Sequence, residues 1–389
     1  MKIGLIGTGM VGSIHARAAS HAGARLVGVS SRTAAGAEEA AARLGFDKAF
    51  ADPMDLIADD SIDLIHICTP NNLHEPLAEA AIAAGHHVIC EKPLAMDAAG
   101  AEVLSAAAGS AGLVAAVPFV YRFYPMIREA RARVRRGDLG SLSVINGVYL
   151  QDWLLTGESS NWRIDPALGG PSRAFADIGS HWCDLIEFVT GERLAAVSAQ
   201  MRTVHEHRPR PAAGVPTFIE SGGQASGDTT EVETEDLAVV AFRTSSGIPG
   251  AVVVSQVSPG AKNRLTFEIT GSEAAFGFRQ ETPETLTVDD ADGRIQVNRD
   301  PARLLPEAAR YATLPVGHPQ GFNDCFDAFV ADVYRRVESG AGVDGLPTFE
   351  DGARAAQITD AVLRSAHSES CWMEIGVPET TTYAERNTK

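Results

Sequence analysis

The chain begins Met1-Lys2-Ile3-Gly4-Leu5-Ile6-Gly7-Thr8-Gly9-Met10-Val11-Gly12, an apolar run of strand length that passes through G-x-G-x-x-G directly into a helical pattern. No other feature constrains the fold as much, because the three glycines have separate geometric duties. Gly7 makes the tight turn, Gly9 lets the backbone approach a pyrophosphate, and Gly12 lets the helix lie close to the strand. The amides of Met10, Val11 and Gly12 then meet an anion at the positive end of the helix. Ordinary glycine loops also match this spacing, but a match between strand and helix selects the dinucleotide-binding βαβ unit.

The second strand, Arg25 to Ser30, should end at the group that reads the adenosine ribose, roughly 20 residues after the turn. An acid there favours NAD. This chain has Ser30-Ser31-Arg32-Thr33 instead. A guanidinium pairs with a phosphate dianion that a carboxylate would repel, so Ser31 and Arg32 favour NADP. NAD stays open, with Arg32 then a solvated residue at a strand end.

Strand and helix patterns continue to alternate, which implies a parallel sheet. Leu64-Ile65-His66-Ile67-Cys68 reads as a buried strand, followed by Thr69-Pro70-Asn71-Asn72-Leu73-His74 and an alanine-rich helix. Ligands lie outside the carboxyl ends of such strands, so Thr69, Asn71 and His74 should border the nicotinamide ribose. His74 can equally be a helix N-terminal residue with no ligand. The next strand, His87 to Cys90, delivers Glu91-Lys92-Pro93 to the same edge. Beyond Tyr121 to Tyr124 and a helix from Pro125 to Arg136 the pattern changes. Ser141 to Tyr149, Ala195 to Arg202, Leu237 to Thr244, Ile248 to Val257 and Arg264 to Thr270 read as strands without regular intervening helices, which implies an antiparallel sheet.

The chain resembles the oxidoreductases named for glucose-fructose oxidoreductase, inositol dehydrogenase and the rhizopine catabolism protein MocA. The likeness spans nearly the whole length. It rests on the glycine turn, Cys68-Thr69-Pro70-Asn71 with His74, Glu91-Lys92-Pro93, Tyr121-Arg122, and Asp177-x-Gly179-x-His181-x-x-Asp184. Tyr149-Leu150-Gln151-Asp152-Trp153 with Asn161-Trp162-Arg163 is similar to the levoglucosan dehydrogenase branch of that family. The resemblance implies an α/β fold in which residues 1–122 form a Rossmann NAD(P)-binding domain. Residues 123–389 then form an α+β domain with a large, mainly antiparallel open sheet that binds substrate and builds dimers or tetramers. Residues 203–235 correspond to an arm in that branch, and 378–389 read as a mobile polar tail.

Oxidising a secondary alcohol removes a hydride from carbon and a proton from oxygen, so the site needs a base and a cation beside the alkoxide. Lys92 and His181 have the chemistry for these roles, and the resemblance assigns them the proton work, with Asp177 binding substrate and modulating His181. The i, i+4 spacing of Asp177 and His181 places both on one face of a helix, where the carboxylate can orient or charge the imidazole. Glu91 belongs with the cofactor edge. Arg122 can reach the cofactor or a carboxylate. Trp162 and Arg163 approach the nicotinamide in related enzymes, and Arg122 and Arg163 each have a salt bridge as the alternative. Tyr121, Trp162 and His318 are candidate substrate contacts. Asp177, His181 and Asp184 could instead be metal ligands, but no further His or Cys cluster completes such a site, so none is expected; the role of Asp184 is open.

The expected activity is hydride transfer between nicotinamide C4 and a ring hydroxyl or ketone of a sugar, anhydrosugar, glycoside or cyclitol. Redox-neutral glycoside cleavage and a non-catalytic sensor share the fold; retention of Lys92 and His181 favours catalysis. The net charge of −17 and pI near 5.1 repel nucleic acid and anionic membranes, and 389 residues suggest two domains. Five dispersed cysteines read as reduced thiols of a cytoplasmic protein, and no secretory leader or membrane-length run is evident.

Overall fold

A computed structural model describes residues 1–210 and 228–376. Its first 116 residues alternate strand and helix: β1 (Lys2–Ile6), α1 (Met10–His21), β2 (Arg25–Ser30), α2 (Ala34–Leu44), β3 (Lys48–Phe50), α3 (Pro53–Ile57), β4 (Leu64–Ile67), α4 (His74–Ala83), β5 (His87–Cys90), α5 (Ala98–Ala111) and β6 (Ala115–Ala116). All strand pairs are parallel, in the order β3-β2-β1-β4-β5-β6. This is the doubly wound order, with the switch point between β1 and β4. Helices cover both faces, so β4 is buried at all four positions and no polar alternation survives in it.

The last strand of this sheet is shorter than the sequence suggests. Pro118 lacks the N–H needed to extend the ladder. Tyr121 and Arg122 therefore lie in a 3₁₀ turn, Val120–Phe123, and not at a strand end. That difference redirects Arg122, as described below.

The chain continues through α6 (Pro125–Arg136), β7 (Leu142–Leu150), α7 (Pro166–Gly169), α8 (Ser180–Thr190), β8 (Leu194–Arg202), β9 (His207–Pro209), β10 (Thr229–Glu231), β11 (Leu237–Thr244), β12 (Pro249–Ser255), β13 (Arg264–Gly271), β14 (Ala275–Arg279), β15 (Thr285–Asp290), β16 (Gly293–Asn298), α9 (Pro306–Ala309), α10 (Phe322–Ser339), α11 (Phe349–His367) and β17 (Met373–Glu374). Pro125 opens α6, three arginines fill its last turn, and Gly137 closes it at φ 91°. Nine strands form the second sheet in the order β16-β15-β14-β13-β7-β12-β11-β8-β17, antiparallel except where β12 pairs with β7. The inner face packs on α8. There Trp182 Nε1 donates to the Thr266 carbonyl at 2.9 Å, and Gly147 lets the indole approach: a Cβ at that position would lie 2.7 Å from Nε1.

The last helices return to the first sheet. α10 packs against α1 and α11 against α5, and Phe349, Ala353, Ala355 and Ala356 join the core beneath the nucleotide-binding strands. At the base of the expected arm, β9 and β10 form an antiparallel ribbon. The remainder of that arm, 211–227, and the expected mobile tail lie outside the described residues.

Candidate active site

The glycine turn has the geometry of a phosphate cradle. Gly7 sits at φ 98°, where a Cβ would lie 2.4 Å from the Cys68 carbonyl oxygen, and a Cβ on Gly12 would lie 2.1 Å from the Gly7 carbonyl oxygen. A Cβ on Gly9 would meet nothing within 4 Å, so the space above it is open. The first turn of α1, beginning Met10-Val11-Gly12, has no side-chain cap. Two further hydroxyls at this edge, Ser30 Oγ at the end of β2 and Thr69 Oγ1 just past β4, are buried without partners. Unanswered amides and hydroxyls around an open approach fit a bound dinucleotide. Ser31 Oγ accepts from Thr8 Oγ1 at 3.1 Å, while Arg32 is exposed and makes no side-chain bond among the described residues.

Asn71 and His74 face inward. The Asn71 amide donates to the Gly169 carbonyl at 2.8 Å, tying the β4 edge to α7. The nitrogens of His74 lie 2.7 Å from the Pro93 carbonyl and 3.0 Å from the Thr69 carbonyl, and burial lowers its pKa. His74 is thus a buried brace at the first residue of α4, the helix N-terminal place given as its alternative, and its neutral ring donates to one of the two carbonyls.

Lys92 and Asp177 meet across the two sheets. Lys92 Nζ donates to Asp177 Oδ1 at 2.7 Å and to the Asp177 carbonyl at 3.0 Å. Asp177 Oδ2 accepts from Gln256 Nε2 at 2.9 Å, and Arg163 Nε stands 3.6 Å from Oδ1. Burial alone would raise the Asp177 carboxyl, but Lys92 and Arg163 hold it below the usual carboxylate range. His181 lies beside this pair, its ring centroid 5.0 Å from Tyr121 and 5.6 Å from Phe119. Burial, reinforced by the Lys92 charge, lowers it to about 3 against the opposing pull of Asp177 and Glu91. His181 Nδ1 is buried without a partner.

The expected contact between Asp177 and His181 takes a different form. A π turn, Phe175–Gly179, precedes α8, and within it the Asp177 carboxylate turns to Lys92 and Gln256; no Asp177–His181 hydrogen bond occurs among the described residues. The carboxylate therefore does not hold the ring by a hydrogen bond, and its pull toward the charged form is outweighed by burial and Lys92. Gly179 makes room for Phe175, whose ring would lie 2.6 Å from a Cβ there.

Of its two expected partners, Arg122 takes carboxylates. Its Nε donates to Asp184 Oδ2 at 2.8 Å, Nη2 to Asp351 Oδ1 at 2.7 Å and also to Asp184 Oδ1. The 3₁₀ turn points this guanidinium between α8 and α11, where it is buried. It joins carboxylates and does not line the cofactor edge, and the same pairing gives Asp184 its role.

Around the cluster, Arg163 lies 4.5 Å from the Trp162 ring centroid in a 3₁₀ turn, Trp162–Ile164, and its ion pair with Asp177 is the salt bridge given as its alternative. The Tyr121 and Tyr149 hydroxyls are 2.5 Å apart and share Asn263. His318 is exposed; its backbone carbonyl accepts from Arg299, and its ring makes no bond among the described residues. Gln256, Tyr149 and Asn263 were not named from the sequence as site residues. Gln256 had a signal: it continues the inward series Val252, Val254, where a polar residue needs a partner. A mainly apolar cavity of about 50 Å³ touches Lys92 and Ser180 but not Asp177, His181 or Arg163, and so lies beside the polar cluster, not within it.

Known proteins share this fold. Residues 1–119 match the family model described as an oxidoreductase family with an NAD-binding Rossmann fold, and 127–276 match the GFO/IDH/MocA C-terminal domain. Levoglucosan dehydrogenase of Pseudarthrobacter phenanthrenivorans is 31% identical over 96% of this chain and 98% of its own. A levoglucosan dehydrogenase structure in complex with NADH and levoglucosan superposes with a TM-score of 0.85 at 30% identity, covering 96% and 99% of the two chains. An oxidoreductase domain protein from Kribbella flavida gives 0.87 at 33%, with the same coverage. With both halves matched by family models and a relative aligned almost end to end, the chain belongs to the Gfo/Idh/MocA family and is an oxidoreductase acting on CH–OH groups.

Proposed function

We propose that the protein is an NAD(P)-dependent dehydrogenase that oxidises a ring secondary hydroxyl of a sugar, anhydrosugar, glycoside or cyclitol, or reduces the matching ketone. The observation that carries this reading is the Lys92–Asp177 clamp beside a neutral His181 at the carboxyl edge of the nucleotide-binding sheet. A bound nicotinamide would supply the hydride acceptor or donor. Lys92 spends its bonds on two oxygens of Asp177, leaving one ammonium N–H to stabilise alkoxide character on the reacting oxygen. His181, neutral, can take the hydroxyl proton at Nε2. No bond at Nδ1 locks its tautomer, so Nε2 can present a lone pair or an N–H. Asp177 balances the Lys92 charge and is placed to accept a substrate hydroxyl, while the Trp162 and Tyr121 rings offer apolar faces to a sugar. Similarity to levoglucosan dehydrogenase supports an anhydrosugar or related ring.

The Ser31-Arg32 pair in place of an acid favours NADP, with NAD also accepted. Val144, Val239 and Val253 are exposed on the outer face of the second sheet, and Val239 and Val253 are cross-strand partners. This face is the surface for a homodimer or homotetramer. A screen of sugars, inositols and anhydrosugars with both cofactors, read by absorbance of the reduced nicotinamide, tests the function. Lys92→Ala and His181→Ala should each lower kcat on the order of a hundredfold while cofactor affinity is kept. Near-normal turnover in either would refute the proton assignment.

A further inference from the structure

A run of hydrogen bonds crosses the nucleotide-binding domain beneath Lys92. The Tyr334 hydroxyl on α10 lies 3.0 Å from His66 Nε2 on β4, and His66 Nδ1 lies 2.9 Å from His15 Nδ1 on α1. His15 Nε2 lies 3.0 Å from Glu91 Oε1, and Glu91 Oε2 accepts the Lys92 backbone N–H at 3.3 Å. Both imidazoles are fully buried and Tyr334 is 3% exposed. Apolar residues would fill these positions without the cost of burying polar groups, so the chain needs a reason beyond packing.

Hydrogen-bond chemistry limits where its protons sit. A carboxylate only accepts, so His15 presents N–H at Nε2. With a lone pair at His15 Nδ1, His66 must donate from Nδ1 and accept from Tyr334 at Nε2. If His15 carries both protons, the His66 hydrogens reverse, and Glu91 is a carboxylate in either register. Desolvation holds His66 well below the usual imidazole range, so no second charge enters there. The chain therefore ends on one fixed negative charge adjoining Lys92.

We propose that His15, His66 and Tyr334 are positioning residues that hold Glu91 as a partly buried carboxylate, so that the site favours the oxidised nicotinamide cofactor over the reduced one. The proposal rests on the reading of the Lys92 edge as the place of hydride transfer. An oxidised nicotinamide ring carries a positive charge and a reduced ring does not, while the rest of the dinucleotide is the same. A fixed carboxylate in a poorly screened site acts on that difference alone. The groups facing Glu91 are His15 from α1, His74 from α4, His181 from α8, Lys92, and the thiols of Cys68 and Cys90.

The test measures the dissociation constants of NAD⁺, NADH, NADP⁺ and NADPH by calorimetry on the full chain. Glu91→Gln should weaken binding of the oxidised form relative to the reduced form by about tenfold, the scale of one charge in a partly screened site. His15→Leu should give the same loss at pH 6 and recover toward pH 9, because a buried carboxylate without its donor protonates more readily; the wild-type ratio should stay flat. His15→Leu combined with Glu91→Gln should match Glu91→Gln alone. If oxidised and reduced affinities fall together, the chain is scaffold only and the proposal is overturned. Should His15→Leu not fold, Tyr334→Phe serves: an expected shift of about twofold, absent in the Glu91→Gln background. An equal shift in that background also overturns it. Failure of the wild-type protein to bind any dinucleotide would refute the functional reading, whereas binding with an unmoved ratio would refute only this inference.

Discussion

The neutral state of His181 is built into the fold, and it has a consequence measurable without substrate. In the unfolded chain the imidazole takes up a proton near 6.5; in the folded protein burial and Lys92 lower that value to about 3. Between those values the unfolded state binds more protons, so stability falls as pH drops. The loss is about 1.36 kcal/mol for each pH unit below the unfolded value. At pH 5 it amounts to roughly 2 kcal/mol relative to pH 7. His181→Gln removes the titration, and its constant cost at pH 7 cancels when the two pH values are compared. Urea unfolding of both proteins at pH 7 and pH 5 should show the wild type losing about 2 kcal/mol more than the variant. Carbon-13 histidine resonances provide a second readout: the signal missing from the variant should keep its neutral shift at pH 5. If the two proteins lose stability in parallel, or that signal titrates near 6.5, His181 enters the reaction as an ordinary imidazole and the role given to burial is wrong.

Arg122→Met should leave Asp184 and Asp351 without their cation, costing about 3–5 kcal/mol. For a chain of 389 residues this lowers Tm by about 4–6 °C, with cofactor affinity unchanged; an unchanged Tm with lost cofactor affinity would make the guanidinium a cofactor ligand after all. Arg32→Asp should move preference from NADP toward NAD by about tenfold, the scale of one lost charge-assisted contact, and an unchanged ratio of affinities would count against its phosphate role. Gln256→Leu should free Asp177 Oδ2 and lower kcat/KM by roughly tenfold or more with the circular dichroism spectrum intact; full activity would show that Lys92 alone holds Asp177. Val239→Glu with Val253→Glu should convert any oligomer to a smaller species by light scattering, and an unaltered mass would exclude that face.

The elements legible in the sequence were those whose environment is uniform along their length. β4 and β5 are buried on both faces by helices, so each reads as a short continuous apolar run between turn residues. α6 carries its own stop and start signals in Pro125 and Gly137. Where environment changes within an element, local pattern loses its hold. β6 ends after two residues because of Pro118, and β16 is exposed at most positions and so has no apolar period to read. The return of α11 onto α5 was invisible for another reason: small residues such as Ala353 and Ala356 pack as well against one apolar surface as another, and only the tertiary fold chooses.

The site divides along the same line. Lys92, Thr69 and the glycine turn were readable because a parallel sheet brings every carboxyl end to one edge, so position along the chain implies position in space. Arg122 was read by that rule as reaching the cofactor or a carboxylate, and the 3₁₀ turn that replaced the strand gave it the carboxylates. Gln256, His15 and His66 belong to a different class. Each interrupts an apolar series: Gln256 follows Val252 and Val254, His66 stands between Ile65 and Ile67, and His15 shares α1 with buried alanines. A buried polar group costs on the order of a few kcal/mol unless a partner answers it. The interruption is therefore itself a signal that a partner exists, although the sequence does not say which. For Gln256 the partner is Asp177, 79 residues away; for His66 it is Tyr334, 268 residues away. His74 was read from its edge position either as a ligand contact or as a helix N-terminal residue without one, and its neighbours are two backbone carbonyls. An inward polar residue thus marks where the fold must close a hydrogen bond, and whether that bond serves a ligand or the scaffold depends on which long-range contact reaches it first.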